Sequence, residues 1–393
     1  MSDGRYNRMT QPTPEQQNRI IIGPPDKTLF VIVIFLVIIG LMAVFSAGAP
    51  KCIAAGTNPA SFAVKQLISV IAGFFGLKFF MDYDYKKLSS WAFPFAMVVI
   101  VLLLIVNFTP LGVSVYGAKR WIALGPIQPQ PSELAKLAVI FLLANAFYKD
   151  ARLFTWEKII KYYIPIGVMI PLVLIQPNLS MVLLMLLICA VMYYAAGGSV
   201  ILMGSLGVTG VFVLSKLMHS YQTSRIKIWL NPEIDPYGAG YNIIQSLLAF
   251  AGGGIWGEGF GNSKQKLAWL PEGHTDFIFS VIAEEMGFIG CVFIICIFAA
   301  FIHRGLIISS KCGNMFGKLL AVGITLSIGL QAFINMAVSS AMIPATGVPL
   351  PFISYGGTSI VVSLCMVGIL LNISRKRIKR ITANEARRIQ ANY

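Results

Sequence analysis

Charged residues are scarce in this 393-residue chain, and their scarcity excludes an ordinary soluble enzyme. They make up 12% of the sequence, against roughly 25% in a typical soluble domain. Hydrophobic residues reach 56% and the mean hydropathy is +0.75. This composition also excludes a disordered chain and a nucleic-acid-binding globule, although the net charge is +15. In so apolar a chain, a basic excess is typical of the cytoplasmic side of an integral membrane protein.

Cysteine and histidine are too few and too dispersed to form a familiar site. The six cysteines and three histidines include no CxxC pair and no cluster with metal-ligand spacing, so neither a disulfide framework nor a structural zinc site is expected. The cysteines are interpreted as small buried hydrophobes. The glycines between Gly252 and Gly261 do not form a nucleotide loop, because no strand precedes them and no Walker lysine follows.

About ten apolar runs are close to the length that a membrane-spanning helix needs. The sequence therefore predicts an all-α integral membrane protein with about ten transmembrane helices, because lipid favours helices and runs this long do not suit a barrel. The runs are Thr28–Ala49, Phe62–Phe80, Trp91–Phe108, Ser132–Tyr148, Ile160–Ile175, Leu179–Ala196, Val200–Leu217, Phe277–Phe301, Phe316–Ile343 and Ser354–Ile373.

The distribution of basic residues predicts that both termini are cytoplasmic. If the helices alternate across the membrane, most of the 31 Lys and Arg residues fall in the two ends and in the connections after the second, fourth and eighth helices. We expect a disordered cytoplasmic tail over residues 1–27, one polytopic membrane domain over 28–374 and a basic cytoplasmic tail over 375–393. Residues 218–276 are predicted to form a large extracytoplasmic loop between helices 7 and 8, and a long ordered loop is usually functional.

The strongest candidate for chemistry lies where this loop meets the eighth helix. Asp276 stands in the segment Leu270–Phe279, in which Pro271 and Gly273 fix a turn. A carboxylate partly desolvated beside an apolar wall has a raised pKa, which suits a general base. An ordinary helix cap is the alternative role for Asp276. His274 is a second candidate base, although a loop histidine bonded to the backbone is favoured.

A second group of charged residues is predicted to bind an anion. Lys119 and Arg120 lie on an outer loop, and Lys136 lies one turn into the fourth helix. A lysine inside an apolar helix needs an anion, a carbonyl or water, and Arg and Lys together suit a pyrophosphate. The alternative is a structural ion pair between Lys136 and Glu133 at three-residue spacing.

Three further features stand out: two pairs of polar residues within apolar helices, and one segment rich in proline and glycine. Glu284 and Glu285 are expected near mid-depth in the eighth helix, either with a function or bonded to a neighbouring helix. Gln331 and Asn335 share a face of the ninth helix and are interpreted as interhelical contacts. The segment 344–359 holds three prolines and three glycines. It is predicted to form a rigid re-entrant turn beside a wet cavity, with a plain surface loop as the alternative.

At these residues the chain resembles the SEDS family, the FtsW/RodA/SpoVE group of bacterial cell-wall proteins. The similar segments are Gly117–Trp121, Gln130–Lys136, Arg225–Pro236, Gly240–Ser246, Gly257–Lys266, Leu270–Phe279 with Glu284 and Glu285, and Pro344–Gly357. They run in order across most of residues 28–375, and together they are highly specific. One departure is Asn178, which stands where the family usually has aspartate. It puts an acidic or metal-binding role at that turn in doubt.

The resemblance implies a ten-span peptidoglycan glycosyltransferase of the bacterial cytoplasmic (inner) membrane. Members polymerise lipid II, a disaccharide-peptide on a polyprenyl pyrophosphate, into β-1,4 glycan at the outer face, here by an inverting transfer. Asp276 occupies the position of the family's catalytic aspartate. A class B penicillin-binding transpeptidase and division proteins are the implied partners, and no nucleic acid is expected. Residues 262–266 and the long polar amino tail are more similar to the division member than to the elongation member, which implies septal wall synthesis.

The predicted site has one catalytic residue and six residues that bind the substrate or its pyrophosphate. Asp276 is the base, and the binding residues are Lys119, Arg120, Glu133, Lys136, His274 and Ser354. The sequence identifies no definite cofactor, and a divalent cation, Mg²⁺ or Mn²⁺, is left open as an aid to the leaving pyrophosphate. Two rival functions remain: a transporter that flips lipid II, which the buried Lys136 and the broken final loop would also serve, and a scaffold that only recruits the transpeptidase.

Overall fold

The computed structural model describes residues 18–380 apart from 116–117, 126–127, 149–154, 202–203, 205–219, 239 and 268. The helices are α1 (Lys27–Ala54), α2 (Ser61–Asp82), α3 (Leu88–Phe108), α4 (Pro131–Tyr148), α5 (Trp156–Ile175), α6 (Leu179–Ala195), α7 (Ser220–Leu230), α8 (Tyr241–Gly253), α9 (Ile278–Lys311), α10 (Met315–Ser339) and α11 (Gly357–Arg375). Short strands β1 (Asn18–Ile22) and β4 (Lys376–Arg380) pair antiparallel, as do β2 (Gly112–Val115) and β3 (Ala118–Ile122).

The predicted all-α membrane class is confirmed. Within the described residues, eight helices are long and apolar enough to cross a membrane, and α6 is a shorter apolar helix of 17 residues. Together they correspond to all the predicted runs except Val200–Leu217, most of which lies outside the described residues. The predicted run ends at Phe301, but α9 continues as far as Lys311, so the last part of this helix was not predicted.

The least apolar of these spans lies at the centre of the bundle. The most apolar 18-residue stretch of α4 has a mean hydropathy of 1.2, and 89% of its residues are buried inside the protein. The corresponding stretch of α1 has a mean hydropathy of 3.2, and 39% of its residues are buried. A helix that is surrounded by other helices does not have to face lipid and can therefore hold polar side chains. This explains how Ser132, Glu133 and Lys136 are tolerated in a spanning segment.

The two ends of the described chain meet on one face of the bundle. β1 pairs with β4 over five residues each. Just after β1, the Asp26 carboxylate caps α1 and accepts a hydrogen bond from Arg304 Nε at 3.0 Å, while the Asp26 N–H donates to Ser374 Oγ at 2.9 Å. Residues 18–27 thus include a strand and the cap of α1, whereas most of the predicted disordered tail, 1–27, lies outside the described residues. Their partners lie at the far end of the chain, so no local pattern indicates the pairing.

The predicted loop 218–276 contains two helices that the sequence analysis missed, α7 and α8. α8 lies against the start of α9 and the end of α10. The Ser246 hydroxyl is bonded to the Ser280 hydroxyl at 2.6 Å and donates to the Ser339 carbonyl at 2.5 Å. The loop is therefore a packed part of the domain, with α8 tied to both helices that frame Asp276.

The segment after α8 enters a break in α9. At Gly287 φ is +65°, and a Cβ there would lie 2.4 Å from the Gly257 nitrogen. The break leaves the carbonyls of Glu284 and Glu285 without helical partners, and the N–H groups of residues 258 and 259 bond to them at 2.9 and 3.1 Å. In return, the Phe288 N–H donates to the Gly254 carbonyl at 2.9 Å. Only glycine permits this close approach of two backbones.

The side chains of Glu284 and Glu285 complete this anchor. Glu284 accepts hydrogen bonds from the Ser263 hydroxyl and from the backbone N–H groups of Lys264 and Gln265. Glu285 forms a buried ion pair with Lys266 at 2.8 Å, and both groups also bond to the Ser46 hydroxyl. Of the two roles left open for these carboxylates, the structure favours the structural one.

Candidate active site

Asp276 lies in a turn just before α9 whose main chain is held by three different groups. The carbonyls of residues 274–276 accept hydrogen bonds in succession from the Tyr355 N–H at 3.0 Å, Ser354 Oγ at 2.6 Å and Asn335 Nδ2 at 2.8 Å. These donors come from the segment before α11 and from α10. The turn is therefore fixed through its backbone, which leaves the Asp276 carboxyl available for other contacts.

The Asp276 carboxyl is half-buried. Among the described residues it takes part in no ion pair within 4.0 Å and in no hydrogen bond. Its pKa is raised to about 6: burial is the largest cause, the charge of Glu272 adds to the rise, and Arg120 and Arg225 oppose it. A carboxyl with this pKa is mostly ionised at pH 7 and still binds a proton readily, as a general base must.

Arg120 approaches Asp276 across Gly347. A Cβ at Gly347 would lie 3.5 Å from Asp276 Oδ2 and 3.8 Å from Arg120 Nη1. The other side of the guanidinium is anchored at the end of α5, where Nε donates to the Gln176 carbonyl at 3.2 Å and Nη2 to the Pro177 carbonyl at 2.5 Å. The site thus holds an anchored cation near the carboxylate, and the two described side chains form no ion pair within 4.0 Å.

The segment 345–349 crosses the site as irregular backbone. Four of its carbonyls accept hydrogen bonds from side chains of three helices, α6, α7 and α10. The donors are Arg225 to Ala345 at 2.9 Å, Ser180 to Thr346 at 2.5 Å, Asn335 to Val348 at 2.8 Å and Gln331 to Pro349 at 3.0 Å. Buried carbonyls outside a helix or sheet need such partners. The side chains therefore set the path of this segment past Asp276.

Lys136 and Glu133 form an ion pair away from the Asp276 carboxyl. Both side chains are 0% exposed, and Lys136 Nζ lies 2.8 Å from Glu133 Oε2. Lys136 Nζ also donates to Gln331 Oε1 at 2.5 Å. Two protein oxygens thus bond to a fully buried ammonium group, which favours the structural ion pair over a direct contact with phosphate. Its connection to the site is indirect, through Gln331 and the Pro349 carbonyl.

His274 is enclosed by aromatic rings. Its ring centroid lies 4.7 Å from that of Phe62 and 5.9 Å from that of Tyr355. Burial and the nearby Lys51 lower the pKa of His274 to about 4, against a smaller opposing effect of Glu272. The imidazole is therefore neutral at pH 7, which makes it a weak base and a poor partner for pyrophosphate.

Two other predicted residues hold the backbone around the site. Lys119 Nζ donates to the Thr109 carbonyl at 2.7 Å, at the end of α3, where a cation is favoured by the helix dipole. Ser354 Oγ donates to the Thr275 carbonyl and accepts from the Leu350 N–H at 2.8 Å. Of the six predicted binding residues, Arg120 is the one that the structure brings to the Asp276 carboxyl. The substrate contacts themselves stay predictions.

Arg225 belongs to the site, and the sequence analysis did not assign it there. Its Nη1 donates to the Ala345 carbonyl at 2.9 Å, and its charge lowers the pKa of Asp276. α7, which carries Arg225, is tied to the end of α10 because Trp229 Nε1 donates to the Ala341 carbonyl at 2.8 Å. The only sequence signal was that Arg225 starts one of the segments similar to the SEDS family.

The divalent cation left open above finds no complete set of protein ligands in the described ranges. These contain no group of three or more His, Cys, Asp and Glu side chains that could hold a metal ion. Glu272 is the one carboxylate whose charge acts on Asp276. Two carboxylates do not make up the coordination shell of a bound Mg²⁺ without water or substrate oxygens, so no chemical step is assigned to a metal here.

Fold and site together define a class of protein: a multi-span helical membrane protein with a half-buried carboxylate that lies near two arginines and, among the described residues, forms no ion pair. The FtsW/RodA/SpoVE family model, described as "Cell cycle protein", matches residues 26–379. This match covers most of the chain, and the protein therefore belongs to that family. The family resemblance predicted from the sequence is confirmed.

Relatives and a solved structure agree with this assignment. The chain is 40% identical over 353 residues to the probable peptidoglycan glycosyltransferase FtsW of Trichlorobacter lovleyi, covering 89% of this chain and 93% of that protein. It is 37% identical over 358 residues to stage V sporulation protein E of Bacillus subtilis, covering 89% and 97%. A chain in a solved peptidoglycan synthase complex is similar with a TM-score of 0.71 and 28% identity, covering 89% and 98%.

Proposed function

We propose that this protein is a peptidoglycan glycosyltransferase that polymerises lipid II into β-1,4 glycan strands for the septal wall. The observation that carries this proposal is Asp276, a half-buried residue whose carboxyl has a pKa of about 6 and lies near Arg120, with no ion pair within 4.0 Å among the described residues. Relatives named as probable peptidoglycan glycosyltransferase FtsW support both the activity and the role in division.

Asp276 acts as the general base in an inverting transfer. Its carboxylate accepts the proton of the 4-hydroxyl on the acceptor sugar as that oxygen attacks the anomeric carbon of the donor chain. The new glycosidic C–O bond forms while the bond from the anomeric carbon to the pyrophosphate oxygen breaks. The lipid-linked pyrophosphate leaves with the bonding electrons, and the proton remains on Asp276.

Arg120 stabilises the charge that grows on the leaving pyrophosphate. Its guanidinium is held by the Gln176 and Pro177 carbonyls, so little reorganisation is needed when charge develops. Arg225 contributes a second positive charge near the same carboxylate. Glu133 and Lys136 contribute to the scaffold behind the segment 345–349 rather than to the transfer itself.

We also propose that the protein lies in the bacterial inner membrane, with Asp276 at the outer face and both termini in the cytoplasm. The paired ends of the described chain support this orientation, because α9 runs from the Asp276 turn to the face where Arg304 meets Asp26. An even number of spans follows from this arrangement. The basic residues around these ends suit the cytoplasmic side.

A transpeptidase is the proposed partner. The solved complex to which this chain is similar couples polymerisation with crosslinking. A chain that makes uncrosslinked glycan requires a second activity to crosslink the peptides. We propose a class B penicillin-binding transpeptidase, together with other division proteins, in that role.

The experiment is synthesis of labelled glycan from lipid II by the purified protein in detergent. Asp276→Asn is expected to lower turnover by roughly 10²- to 10⁴-fold, the usual contribution of a general base. The matched control is Asp82→Asn, the same change at an exposed position on the opposite face, which keeps full activity. Undiminished synthesis by folded Asp276→Asn protein would refute the assignment, and wild-type protein that makes no polymer would favour a flippase.

A further inference from the structure

We propose that Asn335 is a positioning residue for this reaction, which fixes the Asp276 turn against the segment 345–349. The inference rests on the proposed function, because it takes Asp276 as the base. Asn335 is 1% exposed, so it acts through Asp276 and does not contact the substrate. The sequence alone indicated only an interhelical contact at this position.

The Asn335 carboxamide bridges two separate parts of the chain with one nitrogen. Its Nδ2 donates to the Asp276 carbonyl at 2.8 Å and to the Val348 carbonyl at 2.8 Å, which uses both of its hydrogens. Its Oδ1 has no hydrogen-bond partner within the described part of the chain. The amide therefore contributes as a double donor, and leucine, which has a similar shape, removes both bonds at once.

This bridge controls the gap in which the reaction is proposed to occur. Gly347 directly precedes Val348, and both Asp276 Oδ2 and Arg120 Nη1 come close to it: a Cβ built there would lie 3.5 and 3.8 Å from them. A single nitrogen bonded to both carbonyls keeps the carboxylate and this segment at a constant separation. Ser339 Oγ also reaches the Asp276 carbonyl, but at 3.4 Å it is a much weaker restraint.

Asn335 differs in this respect from Gln331, one turn earlier on the same face of α10. Gln331 also donates to the segment, at the Pro349 carbonyl, but its other partner is Lys136 in the buried ion pair. Gln331 thus holds the segment to the scaffold, whereas Asn335 holds it to Asp276. Displacement of a reacting group by about 1 Å can lower a rate by roughly 10²-fold.

The test compares Asn335→Leu with Asn145→Leu in the labelled lipid II assay. Asn145 is a matched control, since it is also a buried interhelical amide, 3% exposed, with hydrogen bonds to Ser89 on α3. We expect both variants to melt at lower temperature. Only Asn335→Leu is expected to lose roughly 10- to 100-fold in kcat, with KM changed less than about threefold.

The pH profile of kcat distinguishes a positioning role of Asn335 from a simple loss of folded protein. Loss of folded protein lowers kcat at every pH and leaves the position of the acid limb unchanged. Arg120 and Arg225 face the Asp276 carboxyl from other elements, whereas Glu272 belongs to the same turn and moves with it. Loosening the bridge weakens the influence of the arginines, so the acid limb of kcat moves to higher pH in Asn335→Leu. The acid limb of Asn145→Leu stays in place.

Each result decides the question. A wild-type kcat, or a kcat loss that matches the loss of folded protein with an unmoved acid limb, would overturn the role of Asn335. If Asn335→Leu does not fold, Asn335→Ser, which keeps one donor, is measured in the same way and is expected to shift the acid limb in the same direction. Asp276→Asn serves as the reference: if it polymerises normally the proposed function fails, and if it is inactive only the Asn335 result bears on positioning.

Discussion

Two charged clusters in the same helical bundle have opposite arrangements. In one, Glu133 and Lys136 are fully enclosed and lie 2.8 Å apart. In the other, Asp276 is half-buried and near two arginines, yet within the described residues it forms no ion pair. In the first, which we call the closed cluster, the two charges are paired with each other. In the second, the open cluster, the Asp276 carboxylate has no paired cation among the described residues.

From this difference we propose that the first cluster stabilises the fold and that the second carries out the chemistry. A closed ion pair neither binds a proton readily nor meets substrate, and its main effect is to make the bundle sensitive to loss of one partner. An unpaired carboxylate with a raised pKa retains the proton affinity that catalysis requires. The segment 345–349 joins the two clusters, since Gln331 and Asn335 hold neighbouring carbonyls of it. The closed cluster thus supports the open one.

Breaking the closed cluster should give the largest effect on stability. Lys136→Met leaves Glu133 buried without its cation, which costs about 3–5 kcal/mol of unfolding free energy. The double variant Lys136→Met with Glu133→Gln removes both charges and should recover most of that loss. Thermal or denaturant unfolding in detergent measures both. Equal destabilisation of the single and double variants would contradict the ion-pair interpretation, and a stable double variant without activity would restore Lys136 as a phosphate ligand.

Much of the helical fold could be predicted because each span meets the length and hydropathy requirement by itself. The runs around α1, α3 and α10 needed no knowledge of their neighbours. The break in α9 could not be predicted in this way. It depends on a positive φ at Gly287 and on backbone bonds to a segment some 30 residues earlier. α8 was missed for a similar reason, because its polar contacts lie on α9 and α10.

The candidate site likewise combines a position that local sequence indicates with contacts that only the tertiary structure shows. Asp276 could be predicted because the turn, the loop and the helix that define it are adjacent in sequence. The contacts of Arg225 and Asn335 reach the site from other helices, so their roles depend on tertiary packing. For Lys136 the spacing to Glu133 left two interpretations open, and only burial could decide between them. The local setting of Asp276 could be predicted from the sequence, whereas the tertiary contacts around it could not.

A side chain at Gly347 should disturb the open cluster directly. Gly347→Ala places a methyl group 3.5 Å from Asp276 Oδ2, at a backbone with φ of +72°. The left-handed conformation costs about 1–2 kcal/mol for alanine, and the methyl group occupies the gap facing Arg120. The control is Gly56→Ala, where φ is +67° and nothing lies within 4 Å. Both variants should lose similar stability, but only Gly347→Ala should lose polymerisation; equal activity would show that the gap is not used.

The smallest expected effects, on pH dependence, test the charge balance around Asp276 most directly. Because Glu272 raises the pKa of Asp276, Glu272→Gln lowers that pKa, so the acid limb of kcat moves to lower pH. Because Arg120 lowers the same pKa, Arg120→Gln moves the limb to higher pH, and it also lowers the plateau if Arg120 stabilises the leaving group. Initial rates between about pH 5 and pH 8 measure both shifts. Shifts in the same direction would mean that a group other than Asp276 sets the acid limb, and the distinction between the open and the closed cluster would lose its kinetic basis.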